Sequence, residues 1–173
     1  MSIFRIVLEL ARARWKVMIL EAKIKELEAQ ISEPIVPVTD WVWLTRSDYL
    51  AEMAKVGIKP IDLGTPLDTR VTLTTKAELD RIAPFLVQPA DEYVEQIKDC
   101  ENYALDAMCT AADYHVSGVT LVLGYMPLGY HGFVITMDKD CNKWWLEPNA
   151  GFEYAGVWHK IGEEGYQPDK IFI

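Results

Sequence analysis

Apolar residues at Ile3, Ile6, Leu10, Ala13, Val17, Leu20, Ile24, Leu27 and Ile31 recur at alternating intervals of three and four positions, without a slip over four heptads. That period predicts a long amphipathic helix able to lay one seam against a partner helix. In a parallel pair the flanking charges meet as Glu9 with Arg14, Lys16 with Glu21 and Lys23 with Glu28, all attractive. Phe4, Leu8, Trp15, Met18 and Ile19 widen the apolar face of the first half, so docking on another protein is the alternative to a homo-oligomer through residues 3–31. Contact with a membrane surface is a minor third reading. Pro34 and Pro37 cannot continue the helix, which divides the chain into an N-terminal amphipathic or coiled-coil helix over 1–33 and a domain over 34–173.

Beyond the prolines the pattern changes. Ser47 is placed to cap a helix over 47–56, stopped by Gly57, and Thr75 to cap one over 76–82, with Glu78 completing a capping box and Pro84 closing it. A short strand is expected over 70–73, and a turn or short helix over 93–97. From Asp99 the spacing is helical, with Cys100, Tyr103, Ala104, Ala107, Met108 and Ala111 on one face. It then switches to β-rich runs over 119–125, 131–137 and 143–147, separated by turn signals, with further strands expected near 152–158 and 170–173. Trp144 and Trp145 alternate on a strand, so one should face the core and the other a groove near His131. A helix followed by antiparallel strands is an α+β architecture.

Length and charge bound what this domain can do. The 173 residues are half hydrophobic and 11% aromatic, which suits one packed core and excludes a disordered or low-complexity chain. The net charge is −9; residues 1–31 hold six Lys/Arg against four Asp/Glu, so the remainder carries −11. An acidic body repels phosphate, and no nucleic-acid partner is expected. The three cysteines, Cys100, Cys109 and Cys141, have neither disulfide-framework nor zinc spacing and read as thiols, with Cys109 expected in the core and Cys141 exposed at a hairpin tip. Arg5, Glu9, Arg12, Arg14 and Lys16 interrupt the first apolar segment, so neither a signal peptide nor a membrane span is read there and a cytoplasmic location is expected.

Three residue types stand in a telling order. Cys100 opens a helix, where unpaired N–H groups favour a thiolate; His131 opens a strand; Glu147 ends the next strand. Pairing those strands as a hairpin brings His131 and Glu147 to the same end, where the carboxylate could orient the imidazole.

The strings Asp99-Cys100-Glu101-Asn102-Tyr103-Ala104, Tyr130-His131-Gly132-Phe133 and Trp145-Leu146-Glu147-Pro148-Asn149 resemble the papain-like cysteine-protease domain of fungal agglutinins of the Marasmius oreades type, related to bacteriophage proteins. The likeness covers roughly residues 88–155 and implies a papain-like cysteine protease fold, the Cys-bearing helix packed on an antiparallel sheet. It further implies Cys100 as nucleophile, His131 as base and then acid, and Glu147 as the orienting carboxylate. Asn149 and Tyr93 stand where that domain has a polar amide and an aromatic; this sequence has Asn and Tyr where Gln and Trp are expected. The backbone N–H of Cys100 is the oxyanion donor of choice, with Gln96 as a second.

The function expected from this is a thiol hydrolase acting on a peptide or protein substrate, cleaving peptide or related amide bonds through a thioester. A non-enzymatic structural or interaction protein of a phage-type, virion-associated assembly is the alternative; a cell-wall amidase or a transglutaminase-like acyl transferase is a further one. No cofactor is required and no metal ligand is assigned. Asp138 and Asp140 resemble a calcium loop faintly, and since the agglutinin family uses divalent ions, calcium is kept as a secondary alternative.

Overall fold

The computed structural model describes residues 14, 16–18, 20, 21, 35–61 and 69–173, and divides into two units, Met1–Val36 and Pro37–Ile173. In the first unit the described residues from Arg14 to Glu21 are helical. Val17 and Leu20, both seam positions of the heptad pattern, lie half or more exposed. The remaining seam positions and two of the three charge pairs, Glu9 with Arg14 and Lys23 with Glu28, involve residues outside the described ones; Lys16 and Glu21 of the third pair are helical and exposed.

The second unit opens with β1 (Trp41–Thr45), followed by α1 (Arg46–Ala54), β2 (Lys59–Pro60), β3 (Arg70–Thr74) and α2 (Lys76–Ile82). Thr45, not Ser47, caps α1, its hydroxyl accepting the Asp48 N–H at 3.1 Å; Ser47 already lies inside the helix. Thr75 caps α2 as its sequence position predicts, accepting the Glu78 N–H at 3.2 Å. Pro84 does not end the helical path but sits at the start of a tight 3-10 turn, Ala83–Leu86, where its missing N–H has no intrahelical partner to lose. A second 3-10 turn, Ala90–Glu92, leads to α3 (Cys100–Asp113), then β4 (Thr120–Met126), β5 (Gly129–Met137), β6 (Lys143–Leu146), β7 (His159–Lys160) and β8 (Gln167–Ile171).

β1 and β3 form a two-stranded antiparallel sheet. The other strands form a six-stranded sheet in the order β2-β8-β4-β5-β6-β7, antiparallel except where β2 meets β8. Period-2 alternation divides its two faces. Leu121, Val134 and Leu146 face one layer, with Leu79 and Ile82 of α2, Leu86, and Ala104, Ala107 and Ala111 of α3. Val122, Phe133, Ile135 and Trp145 face the other, with Tyr49 and Met53 of α1, Val71 and Leu73 of β3, Tyr166 and Ile171. Small alanines on α3 let the helix lie close to the sheet.

The strand expected over 152–158 does not form. Asn149 Oδ1 accepts the Gly151 N–H at 2.9 Å, the Phe152 N–H bonds back to the Asn149 carbonyl, and Gly156 takes φ +76°, so the backbone turns repeatedly. Cys109 is exposed rather than buried, because the buried face of α3 runs through Tyr103, Ala104, Ala107 and Ala111. Cys141 lies exposed at the β5–β6 tip with φ +64°. Trp145 is buried, stacked 3.8 Å from Tyr166. Trp144 turns to the α2 layer with Lys76 over its ring, so it does not line a groove at His131.

Candidate functional site

The site lies where β6 leaves the sheet. β5 and β6 pair from Val134↔Leu146 to Met137↔Lys143; beyond Leu146 the chain swings away and bonds instead to Gln88, whose N–H donates to the Pro148 carbonyl and whose carbonyl accepts the Ala150 N–H. A gap therefore opens beside the start of β5. His131 and Glu147, on the same face by strand parity, meet across it: His131 Nε2 lies 2.7 Å from Glu147 Oε2.

α3 brings Cys100 to the same gap. Asp99 caps the helix, and its own N–H donates to Asn102 Oδ1 at 3.2 Å. Gly132 lets the helix start approach β5: a Cβ there would stand 3.3 Å from Cys100 C and Glu101 N. A larger residue would push Cys100 away from the imidazole of its neighbour. The half-buried Cys100 Sγ donates to Glu101 Oε2 at 3.1 Å and also hydrogen-bonds His131.

Glu147 is fully buried and saturated. Besides His131 it accepts the Tyr166 hydroxyl at 3.2 Å and, through Oε1, the Asn149 N–H at 3.0 Å. Burial opposes charge on His131, but hydrogen bonds to Cys100 and Glu147, and the negative charge beside it, outweigh that and raise its pKa to about 9. The imidazole is accordingly a cation at neutral pH. Tyr166 is pushed well above the ordinary phenol range by burial and by Glu147. Glu101 is lowered, first by the Cys100 hydrogen bond, with burial opposing and His131 assisting; Asp99 is raised, first by its hydrogen bond to Glu101.

A cavity of about 300 Å³ opens on this cluster, lined by Ala90, Tyr93, His131, Asn149, Gly151 and Phe152. Phe152 packs 4.9 Å from the His131 ring, which lies 6.3 Å from Phe133 on its other side. Tyr93 and Asn149 thus stand at the cavity. The Asn149 amide oxygen, however, is committed to the Gly151 N–H. Gln96 does not line the cavity; it occupies the left-handed tip (φ +60°) of a turn closed by reciprocal Val94–Lys98 backbone bonds. Phe152, Tyr166, Glu101 and Gly132 escape sequence reasoning as site residues. Tyr166 lies 19 positions from Glu147, and no local pattern links them.

The arrangement can hold a proton on His131 at neutral pH, pass it to or from the neighbouring sulfur, and present a fixed cation beside aromatic walls. Among the described residues no three His, Cys, Asp or Glu side chains gather as a metal group. Asp138 serves the hairpin: its carboxylate accepts the N–H groups of Asp140 and Asn142, the Asn142 amide and Trp144 Nε1–H. Among the described residues no helix is long and apolar enough to cross a membrane.

No protein-family model matches the chain, and no curated protein matches it. Solved structures do. One, described as the PSL1a–E64 complex, superposes with a TM-score of 0.56 at 13% identity, covering 76% of this chain and 51% of the matched one. Another, Polyporus squamosus lectin bound to the human-type influenza-binding epitope Neu5Acα2-6Galβ1-4GlcNAc, gives 0.54 at 12% identity, covering 76% and 49%. The chain therefore spans about half the length of the structures it matches. At such identity the likeness is one of fold, and the fold stated on this evidence is a mixed α/β one with two sheets, shared with fungal lectin chains. These matches overturn the expected thiol-hydrolase function, and with it the hydrolase, cysteine-protease and papain-like descriptions: the neighbours are lectins, one of them described by the glycan it binds.

Proposed function

We propose that this chain is a non-enzymatic interaction protein whose cavity beside His131 binds a small polar ligand of the glycan class. The observation that carries the reading is the cavity itself: about 300 Å³, with the aromatic rings of Tyr93 and Phe152, and with His131 fixed by a saturated Glu147. Aromatic faces complement the C–H faces of a sugar ring, while a few pre-oriented polar groups fix its hydroxyls. A sialylated glycan is the first ligand to test. The glycan named for the Polyporus squamosus lectin belongs to that class. The whole-chain charge of −9 supports the absence of a nucleic-acid partner.

Calorimetric titration of the full chain with Neu5Acα2-6Galβ1-4GlcNAc and with its asialo counterpart tests this. Binding of the sialylated form, weakened about tenfold or more in Phe152→Ala, the loss of one stacked ring, and retained in Cys100→Ala, is the expected result. Failure of both glycans to bind at millimolar concentration, or binding indifferent to Phe152→Ala and Tyr93→Ala, refutes it. Residues 3–31 are proposed as the attachment segment that joins copies of the chain; the half-exposed seam residues Val17 and Leu20 support this. Sedimentation should show an oligomer that dissociates in Val17→Asp/Leu20→Asp, and a concentration-independent monomer in the parent chain rejects it.

A further inference from the structure

We infer that the outer edge of β1 is a self-complementary interface through which a second copy of this chain pairs, β1 against β1, antiparallel and centred on Trp43. This goes beyond the proposed ligand reading and does not depend on it. β1 meets β3 in a regular register, Val42 opposite Leu73, Trp43 opposite Thr72 and Leu44 opposite Val71. On β3, Thr72 turns its backbone away from β1: its N–H donates to Ser117 Oγ at 2.9 Å and its carbonyl accepts the Gly118 N–H at 3.0 Å. The bonds between the two strands therefore fall at Val42 and Leu44, and the same parity continues past the strand end, where the Arg46 N–H donates to the Thr69 carbonyl at 2.9 Å. Trp43 directs its N–H and carbonyl to the outer edge, and no described residue bonds to them there.

The outer strands of the six-stranded sheet are blunted by comparison. β2 and β7 are two residues long, and β2 carries Pro60. β1 has five residues with no charge, no proline and no bulge, and it leaves Trp41 38%, Val42 42% and Trp43 55% exposed. Such an edge is a template for another strand. Its own sequence fits it. In antiparallel pairing about Trp43 the two Trp43 residues exchange N–H and carbonyl bonds, and on either side the Thr45 N–H of one copy meets the Trp41 carbonyl of the other. Trp41 and Trp43 share a strand face, their rings 5.1 Å apart and near perpendicular, while Leu44 on the opposite face packs against the core. Pairing sets the Trp41–Trp43 pairs of the two copies side by side on the exposed face. The same register brings Asp40, whose side chain is 58% exposed, opposite the half-buried Arg46, so opposite charges meet at each end of the pairing.

Position 43 faces itself across the two-fold axis, which allows a test that misfolding does not imitate. Trp43→Lys and Trp43→Glu are made in the full chain, and amide hydrogen exchange is read residue by residue by NMR for the parent, for each variant and for an equimolar mixture of the two. The Val42 and Leu44 amides, bonded to β3, report in every sample that the strand is intact. In the parent the amide at 43 should be protected. In each variant alone like charges meet and that protection should be lost; in the mixture opposite charges meet, and exchange at 43 should slow about tenfold relative to either variant alone. The readout does not depend on whether residues 3–31 also join copies, so the two readings fail separately. If Val42 and Leu44 lose protection in the variants, Trp41→Pro takes their place: it removes an N–H that β3 does not use, at the first strand position, and should abolish protection at 43 while sparing Val42 and Leu44. An unprotected amide at 43 in the parent, protection equal in the single variants and their mixture, or protection at 43 that survives Trp41→Pro overturns the inference.

Discussion

Replacing Glu147 by Gln removes one charge from a fully buried site while keeping an oxygen to accept the Asn149 N–H and the Tyr166 hydroxyl. What changes is the protonation of His131. Its pKa stands at about 9 against an ordinary 6.5 because hydrogen bonds and charge at Glu147 and Cys100 overcome burial. That difference corresponds to about 3 kcal/mol favouring the protonated folded state. Since the folded value is the higher one, this stabilisation is complete below about pH 6.5 and is lost as pH rises through 9. Without the carboxylate, the Glu147 share of that rise is lost while the Cys100 share remains, so the imidazole midpoint should fall from about 9 toward its ordinary range. Two measurements follow. Imidazole nitrogen shifts should report the fall in the His131 midpoint. Urea unfolding at pH 6 and pH 10 should show the stability gap between parent and variant shrinking at the higher pH, by at most about 3 kcal/mol. Lysines and tyrosines titrate in both proteins and cancel in the difference. A His131 midpoint unchanged from the parent's, or a gap equal at both pH values, refutes the reasoning.

Tyr166→Phe removes one donor from Glu147 and should cost about 1 kcal/mol in urea unfolding; the His131 midpoint should rise slightly, because Glu147 Oε2 then answers to the imidazolium alone. Asp138→Ala leaves the Asp140 and Asn142 N–H groups and Trp144 Nε1–H without their acceptor at the β5–β6 turn, and should lower stability by about 2–3 kcal/mol. Gly124→Ala places a Cβ 2.4 Å from the Gln167 carbonyl and 2.7 Å from Pro168 Cα at the irregularity between β4 and β8. Backbone must move, at about 2–3 kcal/mol, read as a lower urea midpoint.

The elements legible in the sequence are those whose local chemistry and tertiary setting agree. Thr75 with Glu78 sets the start of α2, and Asp99 followed by one apolar face sets α3. The β5–β6 hairpin is legible because two β-rich runs flank a polar tip, Asp138 to Asn142, although β5 is buried continuously from His131 to Met137 and shows no alternation. β1 is not legible: Trp41, Val42 and Trp43 are all substantially exposed, so no alternation marks the strand. Cys109 was readable in principle, since Tyr103, Ala104, Ala107 and Ala111 already define the buried face. The general tendency of cysteine to be buried does not override the helical period there.

The site shows why residue order carried the position of the side chains further than their purpose. Cys100, His131 and Glu147 do converge, because Gly132 admits the helix start and because β6 ends at Leu146. Glu147, however, has a structural reason to exist apart from any chemistry. It ties together β5 through His131, the diverging segment through the Asn149 N–H, and the entry to β8 through Tyr166. Three segments remote in sequence are held at one buried carboxylate, and each contact satisfies a polar group that burial would otherwise penalise. A Glu–His pair that closes a fold in this way persists whether the neighbouring cavity turns over a substrate or only holds a ligand. Its presence in the expected order is therefore evidence for the architecture around the gap, and the cavity walls, Tyr93 and Phe152 above all, are where the function has to be tested.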